Sequence, residues 1–417
     1  MKPVLCLPLV ALIILTAVSC FGDPTGPGSL PALITELPRS LSQAELALIE
    51  ADNRFALKLF REIDAQAASD SNIFVSPLSV SMALGMTYNG AAGETQEAMA
   101  QTLEFQDLDL DDVNQGYRDL IDLLFDLDPQ IEWQLANSIW YRQGFFVEPS
   151  FLDVNRTFFD ARVEALDFGA PGAADVMNQW VSDGTNGRIE EIVEDPIDPL
   201  TVMFLINAIY FKGDWRHQFD KDLTRDAPFT LLDGTQITTR RMAHGEAVDA
   251  RIAWDTSVSI LEMPYGGDAF TMVVVLPHPD VSLQSVVDAL DPEEWATWMT
   301  NLSEVNVVVE MPKFSFEYEI ELKDVLTALG MGIAFDEMLA DFTKINPSGE
   351  LYISKVKHKT FVRVDEEGTE AAAVTSVVGG ITSAPPQFII DRPFLFAIRE
   401  RLSGTILFMG KMVDPTQ

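Results

Sequence analysis

The sequence predicts a mixed α+β fold built on large, mainly antiparallel sheets. Helical patterns come first along the chain and most strand patterns come later in long runs, which argues against alternating βαβ units. No stretch rich in proline and glycine divides the body of the chain, so we expect residues 42–417 to form one domain. The 417 residues are 47% hydrophobic and 22% charged, enough apolar material for an ample core.

The first twenty residues are typical of a targeting signal. Lys2 precedes an apolar run that is shorter than the about 20 residues needed to span a membrane. The run ends in LTAVSC, which resembles a bacterial lipobox, a signal in which the cysteine is lipidated and becomes the N-terminus. We therefore expect a signal peptide at residues 1–19 and lipidation at Cys20. An ordinary cleaved signal is the alternative.

Residues 20–41 follow as an anchor and a flexible spacer containing GDPTGPGSLP. The mature protein is expected to be extracytoplasmic, either held to the bacterial envelope by the lipid or secreted. Cys6 and Cys20 are the only cysteines, so the mature chain has none left for an internal disulfide. Its fold must be stabilised by packing.

The helical elements begin after this spacer. Apolar residues recur every three or four from Ser42, which with Glu45 forms a capping-box pattern. A short strand in NIFVSP leads into a helix that begins near Pro77. An acidic helix with an apolar stripe is predicted between Asp107 and Asp128, and a further helix covers LKDVLTALGM.

The strand patterns occupy the middle and the end of the chain. They consist of β-branched and aromatic runs bounded by turn residues. They are QLANSIWYR, VMFLINAIYFKGDW, FTMVVVLP, EVNVVVEMPKFSFEYEIEL, FLFAIRE and TILFMGKM.

The charge excludes one class of partner. With 28 Lys+Arg against 64 Asp+Glu, the net charge of −36 repels nucleic acid and anionic lipid. Solubility in a harsh or salty medium is one interpretation of this excess, and recruitment of a cationic partner is the other.

The chain does not carry the motifs of an enzyme. There are four histidines, none in an HExxH pattern, and neither a GxSxG nor a phosphate-binding glycine motif occurs. Acidic pairs such as Asp111 and Asp112 could serve a glycosidase, but among 64 acids such pairs arise by chance. We expect no metal, no cofactor and no catalytic residue.

Four blocks of the chain stand out in order, NIFVSPLSVSMALGMTYNGAAGET, FLINAIYFKGDWRHQFD, MPKFSFEYEIELKDVLTALGM and DRPFLFAIRERLSGTILFMGKMVDP. Together they resemble the serpin family of mostly protease-inhibiting proteins, over about Leu41 to Pro415. The resemblance implies a single-domain fold with three β-sheets, about nine helices and an exposed reactive-centre loop. It also implies a serine-type endopeptidase inhibitor, and not an enzyme, that traps a serine protease as a covalent acyl complex.

The reactive-centre loop implied by the resemblance is VDEEGTEAAAVTSVVGGITSAPPQF. In the family this bait is cleaved and then inserts into the main sheet as a new strand, a mechanism given for serpins generally. Its hinge comprises Glu366, Glu367, Gly368, Thr369, Glu370, Ala371, Ala372 and Ala373. On alternation from Thr369, the inward set contains only small or β-branched residues and no charge, so the residues permit insertion.

Family spacing counted from Gly368 and from the later Pro393–Phe394 places the reactive bond at Thr382–Ser383, with Ile381–Thr382 as the fallback. A threonine before the bond suits an elastase-like or other protease that accepts small uncharged residues. The alternative is a non-inhibitory serpin that acts as a binding or storage protein.

The resemblance also implies two clusters that control insertion. The shutter would consist of Ser76, Ser79, Asn207 and His358, and the breach of Trp215, Lys313 and Glu366. A heparin-like activator is not expected, because residues 90–130 contain Arg118 as their only base among many acids. We expect a monomer whose membrane contact is the N-terminal lipid.

Overall fold

The computed structural model describes residues 30–349, 351–369 and 385–417. The predictions for Cys20, for hinge residues Glu370, Ala371, Ala372 and Ala373, and for Ile381, Thr382 and Ser383 lie outside the described residues. In the part of the chain that is described, no helix is long and apolar enough to cross a membrane.

The described residues contain nine α-helices, and most of them precede the long strands of the second half. They are α1 (Gln43–Gln66), α2 (Pro77–Tyr88), α3 (Gly93–Thr102), α4 (Leu110–Asp126), α5 (Pro149–Phe158), α6 (Ala173–Gly184), α7 (Leu283–Ala289), α8 (Pro292–Thr300) and α9 (Lys323–Leu326).

The strands are numbered in chain order. They are β1 (Ile73–Val75), β2 (Ile131–Arg142), β3 (Arg162–Leu166), β4 (Met203–Asp214), β5 (Asp220–Thr230), β6 (Gln236–Ala243), β7 (Val248–Trp254), β8 (Val258–Pro264), β9 (Phe270–Pro277), β10 (Ser303–Pro312), β11 (Phe314–Glu321), β12 (Lys357–Val364), β13 (Gly368–Thr369), β14 (Gln387–Ile389), β15 (Phe394–Glu400) and β16 (Ile406–Met412).

These strands form three sheets, so the mixed α+β prediction is confirmed. A ten-stranded sheet has the order β1-β16-β15-β9-β8-β7-β10-β6-β5, and β14 pairs with β10. The second sheet has the order β13-β4-β2-β3, and the third is the pair β11-β12. Pairing is antiparallel except between β10 and β14 and between β2 and β3.

The helix boundaries follow local chemistry. The side chain of Ser42 accepts a hydrogen bond from the Glu45 amide while the Glu45 side chain binds the Ser42 amide, the predicted capping box. Pro77 is the first residue of α2. The helix predicted in LKDVLTALGM is shorter than expected. It passes into a π-helical turn after Leu326, and Gly330 there has φ of 111°, which breaks the helical path.

One large apolar core joins α1 and α2 to the strands of the ten-stranded sheet. A smaller core lies under α6, where Trp140 is fully buried. The start of α2 is hydrogen-bonded to β12 and β4, and the predicted shutter lies there.

Candidate functional site

The four shutter residues come together around the start of α2. Ser76 is the residue that caps this helix, and its side chain accepts a hydrogen bond of 3.3 Å from the amide of Ser79. The hydroxyl of Ser76 donates to the carbonyl of Leu407 in β16 at 2.8 Å. The two serines are buried, so this turn presents polar groups to strands that pass over it.

Each neighbouring strand binds a different serine of that turn. The imidazole Nε2 of His358 in β12 accepts a hydrogen bond of 3.0 Å from the backbone amide of Ser76. The amide oxygen of Asn207 in β4 accepts a hydrogen bond from the Ser79 hydroxyl. Asn207 also donates to Asn137 of β2 at 2.6 Å, its direct partner in the strand register. The start of α2 is therefore hydrogen-bonded to both β4 and β12.

The protonation state of His358 follows from its burial. Its side chain is 6% exposed, and burial lowers the pKa of the imidazole to about 4. Because Nε2 accepts the hydrogen bond from Ser76, the neutral ring carries its proton on Nδ1.

The breach residues lie beyond the end of β4. Trp215 is 3% exposed, stacks on Tyr265 with ring centroids 4.4 Å apart, and donates its indole N–H to the carbonyl of Asp365 at 2.9 Å. Its backbone amide donates to the carbonyl of Glu367 at 2.9 Å. Trp215 thus holds the backbone just before the hinge glycine.

Glu366 is fixed by two donors. Lys313 Nζ lies 2.5 Å from one carboxylate oxygen, and the Thr224 hydroxyl donates to the other at 2.7 Å. Burial would raise the pKa of Glu366, but these hydrogen bonds outweigh it and hold the pKa below its ordinary value. The neighbouring Glu367 forms an ion pair with Lys221.

The hinge enters the sheet directly after these acids. Gly368 pairs with Asp214 and Thr369 with Gly213, antiparallel to β4. A Cβ atom at residue 368 would lie 2.2 Å from the carbonyl oxygen of Gly213, so only glycine permits this close approach. Thr369 is 5% exposed, which places the first member of the predicted inward set in the interior.

A cavity lined by Thr369 lies between β4 and β12. Ile209 and Phe211 of β4 line one side of it, and Phe361 and Arg363 of β12 line the other. Among the described residues no hydrogen-bonded ladder joins β4 to β12, so these strands belong to separate sheets. Gly368 and Thr369 therefore lie at the mouth of the gap between these two strands.

The family model described as serpin (serine protease inhibitor) matches residues 50–415.

The chain belongs to the serpin family.

Its members are mostly protease inhibitors rather than enzymes. Chicken neuroserpin is 37% identical to this serpin over 362 residues, which cover 84% of this chain and 87% of the relative. The native-state crystal structure of tengpin, a thermophilic serpin, superposes with a TM-score of 0.80 at 29% identity, covering 92% of this chain and 97% of that one. Human thyroxine-binding globulin bound to thyroxine has a TM-score of 0.81 at 30% identity, covering 90% and 100%.

Several residues of this serpin site were not found by sequence reasoning. Asn137 extends the shutter, Tyr265 and Thr224 complete the breach, and Lys221 pairs with the hinge. The facing position of Asn137 and Asn207 could have been found by pairing the two long predicted strands. The other three contacts join distant segments, and no local pattern indicates them. No group of residues suited to a metal ion occurs in the described ranges.

Proposed function

We propose that this serpin inhibits a serine protease by suicide trapping. The observation that carries the proposal is the hinge itself. Gly368 and Thr369 already pair with β4 at the mouth of the gap beside β12. The serine of the protease would attack the reactive bond, form an ester with the residue before it and release the new amino terminus after it. The freed loop, with the protease attached, would then continue into that gap.

The reactive bond is proposed at Thr382–Ser383, with Ile381–Thr382 as the fallback. A threonine before the bond favours an elastase-like target or another protease that accepts small uncharged residues. Fourteen residues from Thr369 to Thr382 would span roughly 46 Å as a strand, about the width of a small protease. That displacement would pull the catalytic geometry of the protease apart.

Trapping requires a native state that is metastable and held by a barrier. The polar contacts between α2 and the two strands provide such a barrier, because they must rearrange before the gap between β4 and β12 can widen. A binding or storage role is the second candidate, since a structural neighbour is a globulin that binds thyroxine.

The test incubates the purified protein with an elastase-like serine protease and resolves the products on a denaturing gel. We expect a covalent complex for the wild type, and a melting temperature that rises after the loop is nicked. Thr369→Arg should give cleaved loop without complex, because a charge at this buried position opposes insertion. If no complex forms at any ratio and nicking leaves the melting temperature unchanged, the protein is a non-inhibitory serpin.

We also propose that Cys20 carries the lipid that holds the protein at the outside of the cell. Cys20→Ser should then move the protein from the membrane fraction to the soluble fraction. Equal partitioning of the two proteins would contradict the anchor and favour an ordinary secreted form.

A further inference from the structure

The hydroxyl of Tyr265 is buried beside the first residue of the loop. Tyr265 is 0% exposed, and its hydroxyl lies 3.1 Å from the hydroxyl of Thr369. One face of the ring stacks on Trp215, and Phe211 packs against it edge-on at 5.3 Å. Apolar rings thus surround the phenol, and Thr369 provides a polar partner.

Withdrawal of the hinge would change this environment. If Thr369 left the sheet, the Tyr265 hydroxyl would stay buried without a hydrogen bond and would retain the full cost of its desolvation. The Thr369 hydroxyl would carry no such cost, because water would bind it outside the sheet. The contact therefore favours the state in which Thr369 is in the sheet.

Tyr265 cannot easily follow a departing hinge. Its backbone amide donates to Phe270 at 2.9 Å, and its carbonyl accepts from Asp268 at 2.8 Å. A bridge also pairs it with Trp215. The ring is held in place from both sides.

The turn that follows Tyr265 is held by the N-terminal segment. The amide of Ile34 donates to the carbonyl of Gly267 at 2.8 Å, and a Cβ atom at residue 267 would lie 2.8 Å from the Ile34 side chain. Arg216 donates to the carbonyls of Pro31 at 2.8 Å and Gly266 at 3.0 Å. The phenol is thereby preorganised as a fixed receptor.

We propose that Tyr265 is a positioning residue that captures Thr369, so that insertion of the loop has begun before any protease binds. The inference rests on the proposed trapping function for its consequence. After cleavage, insertion would extend an existing pair instead of starting a new one. Faster insertion raises the fraction of protease trapped before the acyl-enzyme hydrolyses.

The first experiment needs no protease. Hydrogen exchange is measured on the peptide that contains residues 364–369 in the full-length protein. Tyr265→Phe and Thr369→Val should each speed exchange by about tenfold, the effect of one buried hydrogen bond. The double variant should exchange no faster than either single variant, because both remove the same bond.

Two controls accompany this cycle. Thr369→Ser keeps the hydroxyl and should restore slow exchange. Tyr88→Phe removes the hydroxyl of another buried tyrosine, whose ring packs on Phe105 far from the hinge in sequence. It should leave exchange at residues 364–369 unchanged. Unchanged exchange in both single variants, or effects that multiply in the double variant, would overturn the inference.

The second experiment measures how many inhibitor molecules are consumed per trapped protease. Tyr265→Phe should raise this number by up to about tenfold, the factor by which the equilibrium between the inserted and the withdrawn hinge shifts, without slowing the initial association. An unchanged number in a protein whose exchange has increased would overturn the role in trapping. If even the wild type traps no protease, the proposed function fails while the exchange cycle still decides whether Tyr265 captures Thr369.

Discussion

The residues proposed as the shutter and those proposed as the breach are held by different chemistry. In the shutter, the neutral imidazole of His358 and the side-chain amide of Asn207 bind the start of α2, and neither group is charged. In the breach, the Glu366 carboxylate pairs with Lys313, whose side chain is 34% exposed. The first is a mostly buried network of neutral groups, and the second is an ion pair open to water on one side.

This difference predicts two kinds of resistance to opening. The hydrogen bond between Ser76 and His358 is costly to break, because both residues are buried where water cannot replace the lost partner. An ion pair whose cation is partly exposed is weaker and more sensitive to salt. The shutter should therefore set the height of the barrier, while the breach positions the hinge at the mouth of the gap.

The largest effect is expected from emptying the shutter. His358→Ala leaves the buried amide of Ser76 without its acceptor and creates a cavity. We expect a loss of about 2–4 kcal/mol in the free energy of unfolding, measured by urea denaturation. His278→Ala is the control, since His278 is half-buried and its imidazole contacts the Ser259 hydroxyl of β8, away from α2 and β12 in the chain. Equal losses in the two variants would show that the shutter is not a special barrier.

A comparable effect should appear as pH dependence. Burial lowers the pKa of His358 to about 4 in the folded protein, whereas an unfolded histidine titrates near 6.5. Between these values the unfolded state binds more protons, so stability falls as the pH falls. The free energy of unfolding of the wild type relative to His358→Gln should decrease by about 3 kcal/mol from pH 6.5 to pH 4.

The free energy of unfolding must be compared between the wild type and His358→Gln, because titration of Asp52 changes the stability of both in the opposite direction. Burial raises the pKa of the Asp52 carboxyl to about 7, so the folded state binds more protons between about pH 4 and pH 7. That contribution lowers stability as the pH rises. Asp52→Asn should remove it, and the acid-side loss of the wild type should then become steeper. A flat difference between wild type and His358→Gln would contradict a neutral buried shutter histidine.

The smallest effect is expected in the breach. Lys313→Met removes the cation that pairs with Glu366 but leaves the hydrogen bond that Thr224 donates to it. We expect a loss of about 1 kcal/mol or less in the free energy of unfolding, which shrinks further in 1 M salt. Arg118→Met, which breaks the exposed pair with Asp122, is the matched control. A salt-independent loss as large as that of His358→Ala would erase the distinction between the two regions.

Some of this arrangement could be predicted from local sequence. The capping box at Ser42 and the helix start at Pro77 depend on neighbouring residues alone, and the structure confirms both. Thr369, the first member of the predicted inward set, is buried, but the adjacent Gly368 is buried as well, so the two described residues of this strand do not test the alternation. The requirement for glycine at residue 368 has a clear cause only in the structure, where the carbonyl of Gly213 approaches it.

The sequence by itself determined the fold class, several helix starts, the long central strands and the resemblance to the family, because periodicity, caps and motif order are properties of adjacent residues. It also supplied the proposed bait. Only the tertiary structure decided which side chains meet the proposed hinge and shutter. Tyr265, Asn137 and Thr224 come from strands or segments remote from the hinge, and their hydrogen bonds depend on how the sheets pack. Packing brings them within 3 Å or so of their partners, a range over which hydrogen bonds form and which no spacing along the chain encodes.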